Sequence, residues 1–192
     1  MENPYHIADV KPHYLDRGAA RIIVFDIFNI IAASQSLASQ FESAEPGEDI
    51  LSLSTFRLHH EIAERRLSQL LLQLAVFVRT FDDILSTGEN ADSYAKHAER
   101  TQGENLIGAM EGADDFGLRD ACNKIIHATD FRPVYDRVER GELDDSPESA
   151  WHLTGEIELT GSLGKRSWSA TLWTQDFLEV VLDRLAFDPP AQ

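Results

Sequence analysis

Basic residues, cysteine and clean apolar runs are what this chain of 192 residues has least of. Seventeen Lys and Arg stand against 33 Asp and Glu, a formal charge of −16 at pH 7. Such a surface repels polyphosphate at long range, so tight non-specific nucleic-acid binding is disfavoured, although a local basic cleft is compatible with it. A basic protein partner is the complementary expectation. The single cysteine, Cys122, rules out an intramolecular disulfide and any multi-cysteine zinc site. The absence of an apolar, uncharged stretch of about 18 residues argues against a membrane span. Met1-Glu2-Asn3-Pro4-Tyr5-His6 lacks the basic start and apolar centre of a secretion signal, so a cytoplasmic protein is expected.

What is present is the material of a core. A hydrophobic fraction of 43% with only seven prolines describes a folded chain, long enough for one domain or one domain with an appendage. Residues 1–14 read as an extended arm. From Asp16 to about Gln40 the chain is so apolar that the spacing predicts a helix buried on most sides, with Phe25, Phe28 and Ile31 in the core. Glu42–Asp49, centred on Pro46-Gly47, reads as a loop. Ser52 and Ser54 are candidate caps for a helix from about Thr55 to Leu85, some 45 Å long at 1.5 Å per residue. Leu67, Leu70, Leu71, Leu74, Val78 and Phe81 form its stripe. A short helix is expected over Asp92–Arg100, and Gly103, Gly108, Gly112 and Gly117 then interrupt regular structure.

The later part changes texture. Asp136–Ser149 reads as a charged linker, and two alternating runs, Trp151–Leu159 and Trp168–Leu172 around Gly161–Lys165, predict a β-hairpin. Its three tryptophans are read as packing residues, and Thr174 as the cap of a last helix, Gln175–Ala186. The expected fold class is therefore mainly α. A bundle of four to five helices occupies residues 1–135, and residues 136–192 add a β-hairpin and a final helix packed on it.

The residues with chemistry gather on one short amphipathic helix, Leu118–Ala128, with Asp114 or Asp115 as cap. Leu118, Ala121, Cys122, Ile125 and Ile126 make its apolar face, which leaves Cys122 an inert core thiol. Arg119, Asn123 and His127 follow at four-residue intervals along the border of that face, each about 6 Å from the next. Thr129-Asp130-Phe131-Arg132-Pro133 ends the helix, because Pro133 disfavours helical geometry before it. On the long helix, Arg79 follows a buried run and either pairs with Asp83 across one turn or reaches into a cleft, with Asp82 beside it. His60 and Glu64 are one turn apart, but the second histidine of a zinc-protease motif is missing. No metal or cofactor is expected.

The segment Cys122-Asn123-Lys124-Ile125-Ile126-His127, in a helical context, resembles the signature of the HEPN superfamily, often Arg-Asn-x-x-x-His. The match is carried by Asn123 and His127; Cys122 stands where arginine is expected, and the nearest upstream arginine is Arg119. The resemblance implies metal-independent RNA cleavage at a homodimer interface, in a bacterial toxin–antitoxin or phage-defence system. On it, His127 does acid/base work, Arg119 or Arg79 stabilises the phosphate, Asn123 orients, and Asp82 gives a supporting hydrogen bond. The alternative is a non-catalytic acidic interaction protein of the same type, an antitoxin, immunity or accessory subunit. In the plainest reading of the residues, His127 bonds a carbonyl at the helix end, Asn123 is a satisfied amide and Arg119 pairs with a carboxylate such as Asp115.

Overall fold

The computed structural model describes residues 15–45, 48–102, 106–113, 115–140 and 148–189. The arm at residues 1–14, Pro46-Gly47, Gly103, Asp114 and half of the expected linker, residues 141–147, lie outside them. Among the described residues five α-helices, α1 (Arg17–Ser43), α2 (Ser54–Thr87), α3 (Ala91–Gln102), α4 (Leu118–His127) and α5 (Thr174–Leu185), pack with four strands. The strands are β1 (Gly108–Met110), β2 (Asp130–Arg140), β3 (Glu148–Leu163) and β4 (Arg166–Trp173). They form one antiparallel sheet in the order β1-β4-β3-β2. The expected helical bundle with an appended hairpin is thus corrected to a mixed fold in which a four-stranded sheet is a substantial layer.

The hairpin itself forms as β3 and β4, but each of its outer edges gains a strand. The expected linker from Asp136 is in part β2, whose inward alternation Phe131, Pro133, Tyr135 breaks phase before Val138. The register with β3 slips there: Pro133 pairs with Ile157 and Tyr135 with Leu153, so Val134 alone faces Thr154–Glu156. Gly155 takes φ 93° in this bulge, a conformation that suits glycine, and the Thr154 hydroxyl donates to the Val134 carbonyl (3.1 Å). Pro133 is tolerated because β2 is an edge strand.

α2 is the spine. Leu67, Leu70, Leu71, Leu74, Ala75 and Val78 are all buried, as the three- and four-residue spacing requires. A single core cluster joins them to α1 (Val24, Ile27), α4 (Leu118, Ala121, Cys122), the sheet (Leu153, Ile157, Leu172) and α5 (Phe177, Val181), so β2 runs across residue 135 without a break in the core. The capping differs from expectation. Leu53 precedes α2 with no side-chain cap, so neither Ser52 nor Ser54 serves. Trp173 precedes α5, and the Thr174 hydroxyl is buried without a partner. At α4 the Leu118 N–H is bonded by Gln102 Oε1 of α3 (2.8 Å) instead of an aspartate.

α1 departs furthest from its expected environment. Asp16 caps it by accepting from the N–H groups of Gly18 and Ala19, and the inner face (Ala20, Val24, Ile27, Ala38, Phe41) is buried. The outer face is open: Phe25 is 65% and Phe28 53% exposed, and Ile31 is half-buried. The helix is apolar beyond its inner face, but among the described residues neighbouring elements cover only one side of it. By length and composition α1 would suffice to cross a membrane, with an 18-residue window of mean hydropathy 1.6; Arg17, Arg21 and Asp26 keep it from reading as an uncharged run.

Candidate functional site

The C-terminal part of α2 and the whole of α4 lie side by side, and the polar border of α4 meets α2 at Arg79. This arginine follows Leu74, Ala75 and Val78, all buried, so its stem is held by packing while its guanidinium reaches the α2–α4 seam. Arg79 Nη1 donates to Asn123 Oδ1 at 2.6 Å, and Nη2 lies 3.5 Å from Asp83 Oδ2 across one turn of α2. Arg119 Nη1 donates to the other oxygen of Asp83 at 3.0 Å. Two guanidiniums, one carboxylate and one amide therefore share a contact group with a net charge of +1, on a chain that is otherwise strongly acidic. The Arg79 side chain is about one-fifth exposed, and its Nε is buried with no protein partner.

Four of the five residues singled out from the sequence converge or adjoin here. Arg79, Asn123 and Arg119 are in contact directly or through Asp83; His127, one turn after Asn123, ends α4 with its side chain exposed. Its ring makes no hydrogen bond or ion pair among the described residues, so the carbonyl contact considered from the sequence is not formed. Asn123 Oδ1 is engaged by Arg79, so the amide orients that guanidinium. Arg119 pairs with Asp83, not with Asp115.

Asp82 is placed elsewhere. One residue before Asp83 is enough of a rotation, about 100°, to turn it into the core, where it is 5% exposed. Arg184 of α5 donates through Nη1 to both its oxygens (3.0 and 3.1 Å), and the Tyr94 hydroxyl donates to Oδ1. Arg184 also reaches Thr101 Oγ1 through Nε (3.1 Å) and the Ala98 carbonyl through Nη2 (3.2 Å). Burial and the Asp82 carboxylate push the Tyr94 phenol far above its usual range. This network ties α2, α3 and α5 together and offers Asp82 to nothing at His127.

Cys122 is sealed in the core, and burial, with the Asp82 charge second, raises its thiol well above the usual value, so no thiolate is available. Asp83, expected only as a partner of Arg79 across one turn, is a member of the site that sequence reasoning did not single out, and it bridges Arg79 and Arg119. Lys124 of α4 lies 4.2 Å from the ring centre of Trp168 and adds a third cation beside Arg79 and Arg119. No group of three or more His, Cys, Asp or Glu able to hold a metal occurs among the described residues, and the His60–Glu64 pair gains no third ligand there. What the arrangement can do chemically is bind an anion: Arg79 and Asn123 Nδ2 present donors beside an exposed imidazole, and Arg119 presents another two turns from His127, about 12 Å along the axis. Compared with known proteins, the chain finds no match among family models, curated proteins or solved structures.

Proposed function

We propose that the α2–α4 seam is a phosphodiester site and that the chain is a metal-independent, HEPN-like ribonuclease of a toxin–antitoxin or phage-defence system. The observation that carries this reading is the 2.6 Å bond from Arg79 to Asn123, one turn from an unobstructed His127. Arg79 replaces the arginine that Cys122 displaces from the motif, arriving from a different helix. The His127 imidazole takes the proton of a ribose 2′-hydroxyl; the 2′-oxygen attacks phosphorus, the bond to the 5′-oxygen breaks, and water returns a proton to that oxygen. A 2′,3′-cyclic phosphate is left. Arg79 and Asn123 Nδ2 stabilise the charge that builds on the phosphorane oxygens, and Arg119 holds a neighbouring phosphate. The test is incubation of the purified chain with single-stranded RNA in a chelator. His127→Ala should lower cleavage by about 10²–10⁴-fold, and equal cleavage by both proteins, or none by either, removes the proposal.

A second reading is favoured by Asp83. Its carboxylate sits between Arg79 and Arg119 and neutralises much of their field, as a site that does no chemistry would tolerate. On that reading the chain is an acidic interaction protein, an antitoxin, immunity or accessory subunit, and binds a basic partner through its −16 charge. Such a complex weakens as salt rises; absence of any partner at low salt counts against it.

A further inference from the structure

We propose that a cavity between α1, the bulge of β3 and the start of α5 binds a small organic cation, an amine carried on an apolar body. Its walls come from other elements than the α2–α4 seam, and the inference is independent of the nuclease reading. The cavity holds about 430 Å³, within the range of roughly 300–1,000 Å³ usual for small-molecule sites. α1 supplies Phe28, Ile31 and Ala32 to the wall, and the junction of β4 with α5 supplies Trp173 and Leu178. Gly155 lines the cavity without a side chain, at the φ of 93° that suits glycine, and a Cβ there would meet Ile31 Cγ2 at 3.8 Å. Phe28, left 53% exposed on α1, thus has a place as one aromatic wall.

Charge selects the ligand. Glu156 and Asp176 are the charged residues of the lining, which contains no Lys, Arg or His. Neither carboxylate has a hydrogen bond or ion pair among the described residues, whereas Glu158, two residues along β3, is held by Arg132 (3.7 Å). Glu156 stands directly across from Trp173 in the register of β3 with β4, so the two side chains leave the sheet on the same side. Asp176 follows in the first turn of α5. An ammonium there pairs with carboxylates and draws on the Phe28 and Trp173 rings, whose faces attract a cation within about 6 Å. The first turn of α5 has no side-chain cap, and its dipole favours an anion by the equivalent of about half a positive charge. Two full carboxylates, in a chain of net charge −16, outweigh it. The aliphatic wall of Ile31, Ala32 and Leu178 calls for an apolar body, because a hydrated metal ion would leave that surface uncovered. Thr174 also lines the cavity, wholly buried and with no partner for its hydroxyl among the described residues, an unmet polar group of the kind that marks a place for a ligand or water.

The test is isothermal titration of the full chain, at neutral pH and low salt, with phenylbutylamine, phenylbutanol and phenylbutyrate, which share a phenylalkyl body and differ in charge. The amine should bind saturably, with a dissociation constant below about 1 mM. The alcohol should bind about tenfold more weakly, and the carboxylate about 100-fold or more. Glu156→Gln with Asp176→Asn should weaken the amine about tenfold, a few-fold for each open ion pair, and leave the alcohol unchanged. Ala32→Leu, which fills the cavity from a half-buried position of α1, should abolish amine binding, with circular dichroism showing that each variant is folded. Equal affinity for the three compounds, or no saturable binding of the amine, overturns the inference. So does an amine affinity that both sets of substitutions leave unchanged. Binding of a lysine-rich peptide by a chain that ignores the amine would overturn it in favour of a protein partner.

Discussion

Replacing Arg184 by Met tests whether Asp82 is a structural group. Methionine keeps most of the volume in the core but removes two bonds to the Asp82 carboxylate, one to Thr101 and one to the Ala98 carbonyl. Asp82 is then left charged at 5% exposure with only the Tyr94 hydroxyl beside it. Breaking one side of a buried ion pair costs about 3–5 kcal/mol, because the remaining charge is dehydrated and uncompensated. For a chain of this length that corresponds to a fall in melting temperature of roughly 6–20 °C. The double variant Arg184→Met, Asp82→Leu removes the stranded charge as well and should recover most of the loss, since a paired buried charge and a packed apolar pair differ little in net stability. Urea unfolding of the four proteins in the cycle measures this. If Arg184→Met costs less than about 1 kcal/mol, or the second substitution deepens the loss, the assignment of Asp82 to the core network is refuted.

Gly108→Ala should destabilise by about 1–3 kcal/mol or more, because an added Cβ would lie 2.1 Å from the Thr171 carbonyl oxygen, a backbone atom of β4 that cannot swing aside; thermal melts check it. His59 and His60 are held below the usual histidine value, chiefly by burial, with His60 also acting on His59. Because the folded state disfavours their protonation, their contribution is present above the unfolded value of about 6.5 and is lost as pH falls through the lower folded values. Urea midpoints should therefore drop between pH 7 and pH 5, and His59→Leu should flatten that slope. RNA association should quicken as ionic strength rises from about 10 to 100 mM, since the Debye length shrinks from roughly 30 to 10 Å and screens the −16 charge before it weakens the contacts at Arg79; stopped-flow binding rates that fall over this range contradict the reading.

The sequence was most legible where periodicity and packing agree. The leucine spacing of α2 placed its buried face, and Thr129 through Pro133 marked the end of α4 at His127. β2 was hidden because the bulge opposite Val134 breaks its alternation and Pro133 resembles a breaker. β1 was hidden because Gly108 stands among glycines expected to interrupt regular structure, whereas it is a point of close approach to β4. α1 shows the limit of an apolar count, which records the tendency to be buried and not the number of neighbours available to do it. In the site, Arg79 and Asn123 were named separately, but their pairing joins α2 to α4 across 44 residues and no local pattern encodes it. Arg184 carries a signal of its own: it falls on the same face of α5 as Phe177 and Val181, where a lone charge implies a buried partner.

The most direct test of the phosphodiester site is the single-turnover cleavage rate, in chelator, of one RNA and of the same RNA with a single 2′-deoxy nucleotide at the cleaved position. The wild-type chain should cut the first to a 2′,3′-cyclic phosphate and leave the second intact at that bond, and Arg79→Gln should slow the first about 10²–10³-fold. Cleavage of both substrates at equal rates, or a rate that survives Arg79→Gln and His127→Ala unchanged, would contradict the account.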